Sequence, residues 1–124
     1  MATPTPETMV RLAARAALEK KALDLAVLDL QGLSSIADFF LIVSAGSTTQ
    51  ADTVAEAVRV TLRAHGVRPR HTEGSAESGW LLLDYGDVVV HVFLEATRGF
   101  YALDRLWGDA PLLSVEGWRG IDFA

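Results

Sequence analysis

Cysteine is absent from the 124-residue chain, which excludes disulfides, thiolate metal sites and cysteine nucleophiles and suits the cytosol. Long apolar runs are absent too. The longest, Phe39 to Val43 and Val88 to Leu94 with His91 inside it, fall far short of the ~20 residues that a membrane-spanning helix needs. The N-terminus, Met1-Ala-Thr-Pro-Thr-Pro, lacks the basic and apolar regions of a signal peptide, so a soluble, cytoplasmic protein with no membrane contact is expected. Positive charge is scarce: eleven Lys+Arg stand against sixteen Asp+Glu, a net charge of −5. Such a chain lacks the general basic field of duplex binders, and little direct nucleic-acid binding is expected, although net charge does not exclude a local basic patch. What is present is a half-hydrophobic composition, enough for one domain with a core of its own.

Thr5-Pro6-Glu7 reads as a helix start, with a capping hydroxyl, proline at the first position and an acid in the first turn. Met9, Val10, Ala13, Ala14, Ala17 and Leu18 follow at helical spacing. Residues 24–30 alternate loosely as a strand, and 39–44 are apolar throughout, as a strand covered on both faces should be. Ser47-Thr-Thr-Gln50 is a capping box. The helix after it should bury Ala51, Val54, Ala55, Val58 and Leu62 and stop at Gly66. Residues 67–72 read as a short strand and 73–79 as a polar loop. Residues 80–84 and 87–94 flank Tyr85-Gly86 as a hairpin, and 99–107 read as a short helix. This order, α, β, β, α, β, β, β, α, predicts one α/β domain: a mixed, mostly five-stranded sheet flanked by helices, with strands one, two and four or five central. Residues 1–111 form that domain, and 112–124 form a C-terminal tail with no assigned role.

A two-residue loop at Tyr85-Gly86 would pair Asp84 with Asp87, Leu82 with Val89 and Trp80 with His91. Directly paired residues share a face. One face then carries Leu81, Leu83, Val88, Val90 and Val92 and should be buried. The other carries Trp80, Leu82, Asp84, Asp87, Val89, His91 and Phe93, which is apolar, aromatic and acid-tipped together. Between Arg70 and Arg98 there is no Lys or Arg, whereas Glu73, Glu77, Asp84, Asp87 and Glu95 all fall there. Aromatic anchors rimmed by one sign of charge suit contact with a basic protein partner. The competing reading packs Trp80 and Phe93 beneath the Phe100–Trp107 helix and leaves the acids merely solvated.

No catalytic constellation accompanies this face. Gly46-Ser47, between strand and helix, resembles the phosphate turn of a nucleotidyltransferase, but the paired carboxylates that such chemistry needs for two metal ions are missing from the sequence. His65, His71 and His91 are too scattered for a zinc motif, Ser34, Ser35 and Asp38 have no histidine near them in sequence, and no cofactor motif is present.

Several segments together resemble the ribosome silencing factors (Iojap-like proteins): Lys20-Lys21-Ala-Leu-Asp24, Leu28-Asp29-Leu-Gln-Gly-Leu-Ser34-Ser35-Ile-Ala-Asp38-Phe-Phe, Ala45-Gly46-Ser47, Glu73-Gly74, Gly79-Trp80-Leu-Leu-Leu-Asp84-Tyr85-Gly86-Asp87, Val90-His91-Val-Phe93 and Arg98-Gly-Phe-Tyr101-Ala-Leu-Asp-Arg-Leu106-Trp107-Gly-Asp109-Ala110. The resemblance implies a nucleotidyltransferase-like topology without catalytic carboxylates. It also implies a non-enzymatic factor that binds the large ribosomal subunit through ribosomal protein uL-fourteen, blocks small-subunit joining and takes part in subunit maturation, often as a homodimer. By the same resemblance the contact surface comprises Trp80, Leu82, Asp84, Tyr85, Asp87 and His91, with Phe93 and Tyr101 beside them.

Overall fold

A computed structural model describes residues 3–33 and 35–101; the expectations for the helix beyond Tyr101 and for the tail lie outside these residues. Helix α1 (Pro6–Glu19) begins where the sequence requires, with Thr5 Oγ1 accepting the Thr8 N–H at 3.2 Å. Its buried face, Met9, Val10, Leu12, Ala13, Ala14, Ala16 and Ala17, is broader than the single stripe expected. The alanines let α1 pack closely on α2 (Thr48–Ala64), which buries the five residues named above and is capped by His65 just before Gly66, whose φ of +80° only glycine adopts cheaply. Gln50 does more than complete the cap. Its Oε1 accepts from Gly46 N–H at 2.7 Å and its amide donates to the Lys21 carbonyl at 2.9 Å, tying the start of α2 to the exit of α1.

Strands β1 (Leu23–Asp29), β2 (Phe39–Ala45), β3 (His71–Ser75), β4 (Trp80–Asp84) and β5 (Val88–Leu94) form one sheet in the order β1-β2-β5-β4-β3. Only β2 and β5 run parallel; the other pairs are antiparallel. These two are the continuous apolar runs of the sequence and lie mid-sheet, buried on both faces. Two expectations are corrected. Strand β1 lies at the sheet edge rather than its centre, with its N-terminal half open to solvent. Strand β3 begins at His71, inside what read as strand and loop, because HTEGS is an exposed edge strand defined by pairing with β4 rather than by apolar alternation.

The two faces of the sheet carry separate cores. Helices α1 and α2 cover Val27, Phe39, Leu41, Val43, Leu83, Val88, Val90 and Val92. Among the described residues, the opposite face holds a cluster of Leu28, Leu30, Ala37, Phe40, Ile42, Val89 and Phe93, with Trp80 and Leu82 packed on its margin. Helix α3 (Glu95–Tyr101) follows β5 without a loop, four residues earlier than expected. Arg98 moors it by donating to Ser44 Oγ at 3.1 Å and to the Asp24 carbonyl.

Candidate functional site

The site is built on the β4–β5 hairpin, and its register differs from the expected one. Asp84 pairs with Val89, Leu82 with His91 and Trp80 with Phe93, while Tyr85 N–H donates to the Val88 carbonyl at 2.9 Å. The tight turn is therefore Gly86-Asp87. Gly86 supplies a φ of +88° at its first position, and Asp84 Oδ1 accepts from its N–H at 2.7 Å. The slip is two residues, so the side chains of β4 and β5 keep the faces assigned to them, while Asp87 passes from the strand into the turn.

Across the face opposite α1 and α2, burial falls from the centre of the sheet towards β3. Phe93 is fully buried and His91 is 3% exposed. Trp80, Leu82 and Asp84 are half-buried, and Asp87 and Glu73 are exposed. The indole of Trp80 stacks on Phe93 with centroids 5.1 Å apart, and its Nε1–H donates to His91 Nδ1 at 3.1 Å. His91 in turn meets the Phe40 ring edge-on at 4.7 Å. Burial lowers the His91 pKa to about 4, with nearby Asp84 pulling the other way, so the ring is neutral at pH 7. Because Nδ1 accepts the indole proton, the ring's own proton sits on Nε2, which is buried with no hydrogen-bond partner among the described residues. Trp80 is thus oriented from below by a neutral histidine and a phenylalanine. Its outer side borders a hollow of about 150 Å³ lined by Glu73, Gly74, Ser78, Trp80 and Leu82. Gly74 is required there: its φ is +79°, and a Cβ would run into the Trp80 carbonyl oxygen.

The expected contact set therefore divides. Trp80, Leu82 and Asp84 share a reachable face, and Asp87 is exposed in the turn beyond it. His91 and Phe93 share it but lie underneath, where contact with a partner is closed to them. Tyr85 belongs to the other side altogether. Strict alternation from Leu81 and Leu83 carries it into the core beneath α2, where it is 5% exposed. Burial raises its phenol pKa to about 12, partly offset by Arg59, and its hydroxyl has no hydrogen-bond partner among the described residues. Tyr101 ends α3, and its side chain lies outside the described residues. Sequence reasoning missed Glu73 as a neighbour of the tryptophan; its pairing with Leu82 follows only once β3 is seen to be a strand.

The Gly46-Ser47 turn is taken up by helix capping. At Gly46-Ser47, the Gly46 N–H and the Ser47 hydroxyl are both engaged by Gln50. Among the described residues no group of three or more His, Asp or Glu could hold a metal ion, and no helix is long and apolar enough to cross a membrane.

The sequence model of a family described as "Ribosomal silencing factor during starvation" matches residues 3–122. The chain belongs to the ribosomal silencing factor family. It is 40% identical over 111 residues to the ribosomal silencing factor RsfS of Halalkalibacterium halodurans, covering 90% of this chain and 95% of that one. To the RsfS of Bacillus subtilis it is 39% identical over 110 residues, covering 89% and 93%. A crystal structure of a Chromobacterium violaceum protein superposes with a TM-score of 0.81 at 34% identity, covering 85% of this chain and 88% of that one. In this silencing factor, then, the α/β architecture and the mixed five-stranded sheet are those of its relatives, and the Trp80 face is the candidate site that the fold presents.

Proposed function

We propose that this silencing factor docks on the large ribosomal subunit through ribosomal protein uL-fourteen and represses translation by occupying ground that the small subunit needs. The action is stoichiometric, takes place in the cytoplasm and requires no catalytic group. Family membership supports the silencing role. The observation that carries the choice of surface is that half-buried Trp80 and Leu82 line one hollow with exposed Glu73, with Asp84 next on the same face of β4. A tryptophan held by stacking and a hydrogen bond loses little further freedom on binding, the property that makes such residues binding anchors. The surrounding carboxylates favour a basic partner and act mainly on encounter and orientation. His91 and Phe93 serve this contact indirectly, by fixing the indole.

Trp80→Ala should abolish co-sedimentation with purified large subunits while far-UV circular dichroism stays that of the wild type. Leu82→Ala, at a position only half-buried, should weaken pelleting without a large stability cost. Normal pelleting of both variants would contradict the assignment. So would a concentration-dependent dimer that hides Trp80 fluorescence and leaves no surface for the subunit.

A further inference from the structure

The net charge of −5 conceals a bipolar molecule. Residues 57–72 contain no Asp or Glu but hold four of the eleven basic residues, Arg59, Arg63, Arg68 and Arg70, and two of the three histidines. The fold gathers these arginines around the C-terminal half of α2 and the connector to β3, where Arg59, Arg63, Val67, Arg68 and Pro69 line a groove of about 240 Å³. Arg59 is half-buried and spends its charge on Glu56 at 3.2 Å. Arg63, Arg68 and Arg70 are exposed, and among the described residues none has a carboxylate within salt-bridge distance. Two of them stand on a stiffened backbone. Pro69 restricts the segment between Arg68 and Arg70, Arg70 N–H donates to the Asp84 carbonyl at 2.8 Å, and the Arg70 guanidinium lies against Gly86, where a Cβ would collide with it.

We infer that Arg63, Arg68 and Arg70 form a second docking surface that grips the phosphate backbone of structured RNA. All three cations are arginines rather than lysines, and a planar fork of donors matches phosphate oxygens two at a time. They lie near the end of a helix whose dipole opposes an anion, so the guanidinium groups must supply the attraction and binding must depend steeply on salt. The contact is to phosphate oxygens and not to base edges, so it carries no sequence preference. RNA is chosen over other phosphate polymers on the strength of the ribosomal reading above. Arg63 belongs to α2, on the side of the sheet away from the Trp80 face, whereas Arg70 marks the edge of the patch, reaching the β4–β5 turn at Gly86.

The test is fluorescence anisotropy with a labelled 20-base-pair RNA hairpin, free of ribosomal protein, titrated with the full chain at roughly 50–200 mM salt. At about 0.9 per neutralised phosphate, three arginines give a log–log salt slope of about −2.7, a loss of roughly fortyfold across that range. Arg63→Gln/Arg68→Gln/Arg70→Gln should bind at least about tenfold more weakly at the low-salt end with a slope near zero. Arg63→Gln/Arg68→Gln, which leaves the Arg70 contact with Gly86 intact, should lose most of the same affinity. Trp80→Ala should bind the hairpin as the wild type does, so that failure here and failure of the uL-fourteen contact are separate results. Wild-type binding that survives the triple substitution, or no binding at the low-salt end, overturns the inference. Equal, arginine-dependent binding to phosphatidylserine vesicles overturns the choice of RNA.

Discussion

Phe93→Ala should lower the unfolding free energy by about 3–5 kcal/mol, the range for emptying a fully buried aromatic site. Phe93 is 0% exposed, stacks under Trp80 and belongs to the core on the face opposite α1 and α2. Where in that range the cost falls depends on how far its neighbours, among them Ile42 and Val89, relax into the space. Phe93→Leu keeps most of the volume and should cost less than half as much. Urea unfolding followed by far-UV circular dichroism gives both numbers. The pair of variants also decides what Phe93 does, since a supporting residue transmits its loss through stability and through the disorder of Trp80. A Phe93→Ala chain that is as stable as the wild type yet no longer pellets with large subunits would make Phe93 a contact after all.

Stability should also fall as pH drops from about 6.5 to about 4, by roughly 3 kcal/mol in all, from one group. The unfolded His91 takes up a proton near its ordinary pKa of 6.5, whereas the folded one, desolvated, resists until about 4. In that window the unfolded state binds more protons than the native one, so the stability contributed by the neutral ring is complete above 6.5 and is lost as pH falls through the window. Protonation of Nδ1 would also leave the indole N–H of Trp80 without its acceptor and disturb the proposed contact. His91→Phe should flatten this part of the pH–stability profile. A wild-type profile with no drop across the window would contradict a buried neutral histidine.

What was legible in the sequence, and what was not, follows from the period of each signal. The stripe of α2 and the apolar runs of β2 and β5 were readable because their burial is set by repeats inside the segment. The two faces of the β4–β5 hairpin were readable for the same reason and survived a two-residue error in register, since only an odd slip exchanges faces. The turn itself was ambiguous because Tyr85-Gly86 and Gly86-Asp87 both place the glycine in the loop. Edge strands were poorly legible. β3 has no apolar alternation, and β1 looks central by composition, yet its position depends on which strands pair elsewhere. Tyr85 shows a different limit: a turn read at Tyr85-Gly86 takes it out of the alternation of Leu81 and Leu83, and resemblance placed it on the contact surface, whereas the turn one residue later leaves it facing the core. The arginine patch was hidden by averaging, because a single net charge cancels a basic segment against the acidic one that follows it.

The central claim, a silencer that works by exclusion through the Trp80 face, is tested most directly by sucrose-gradient fractionation of purified small and large subunits mixed with the protein. The wild type should migrate with the large subunit and shift the particles from joined to separate, in proportion to its concentration, and Trp80→Ala should do neither. Joining that proceeds unhindered while the wild type stays bound, or silencing by Trp80→Ala equal to that of the wild type, would contradict it.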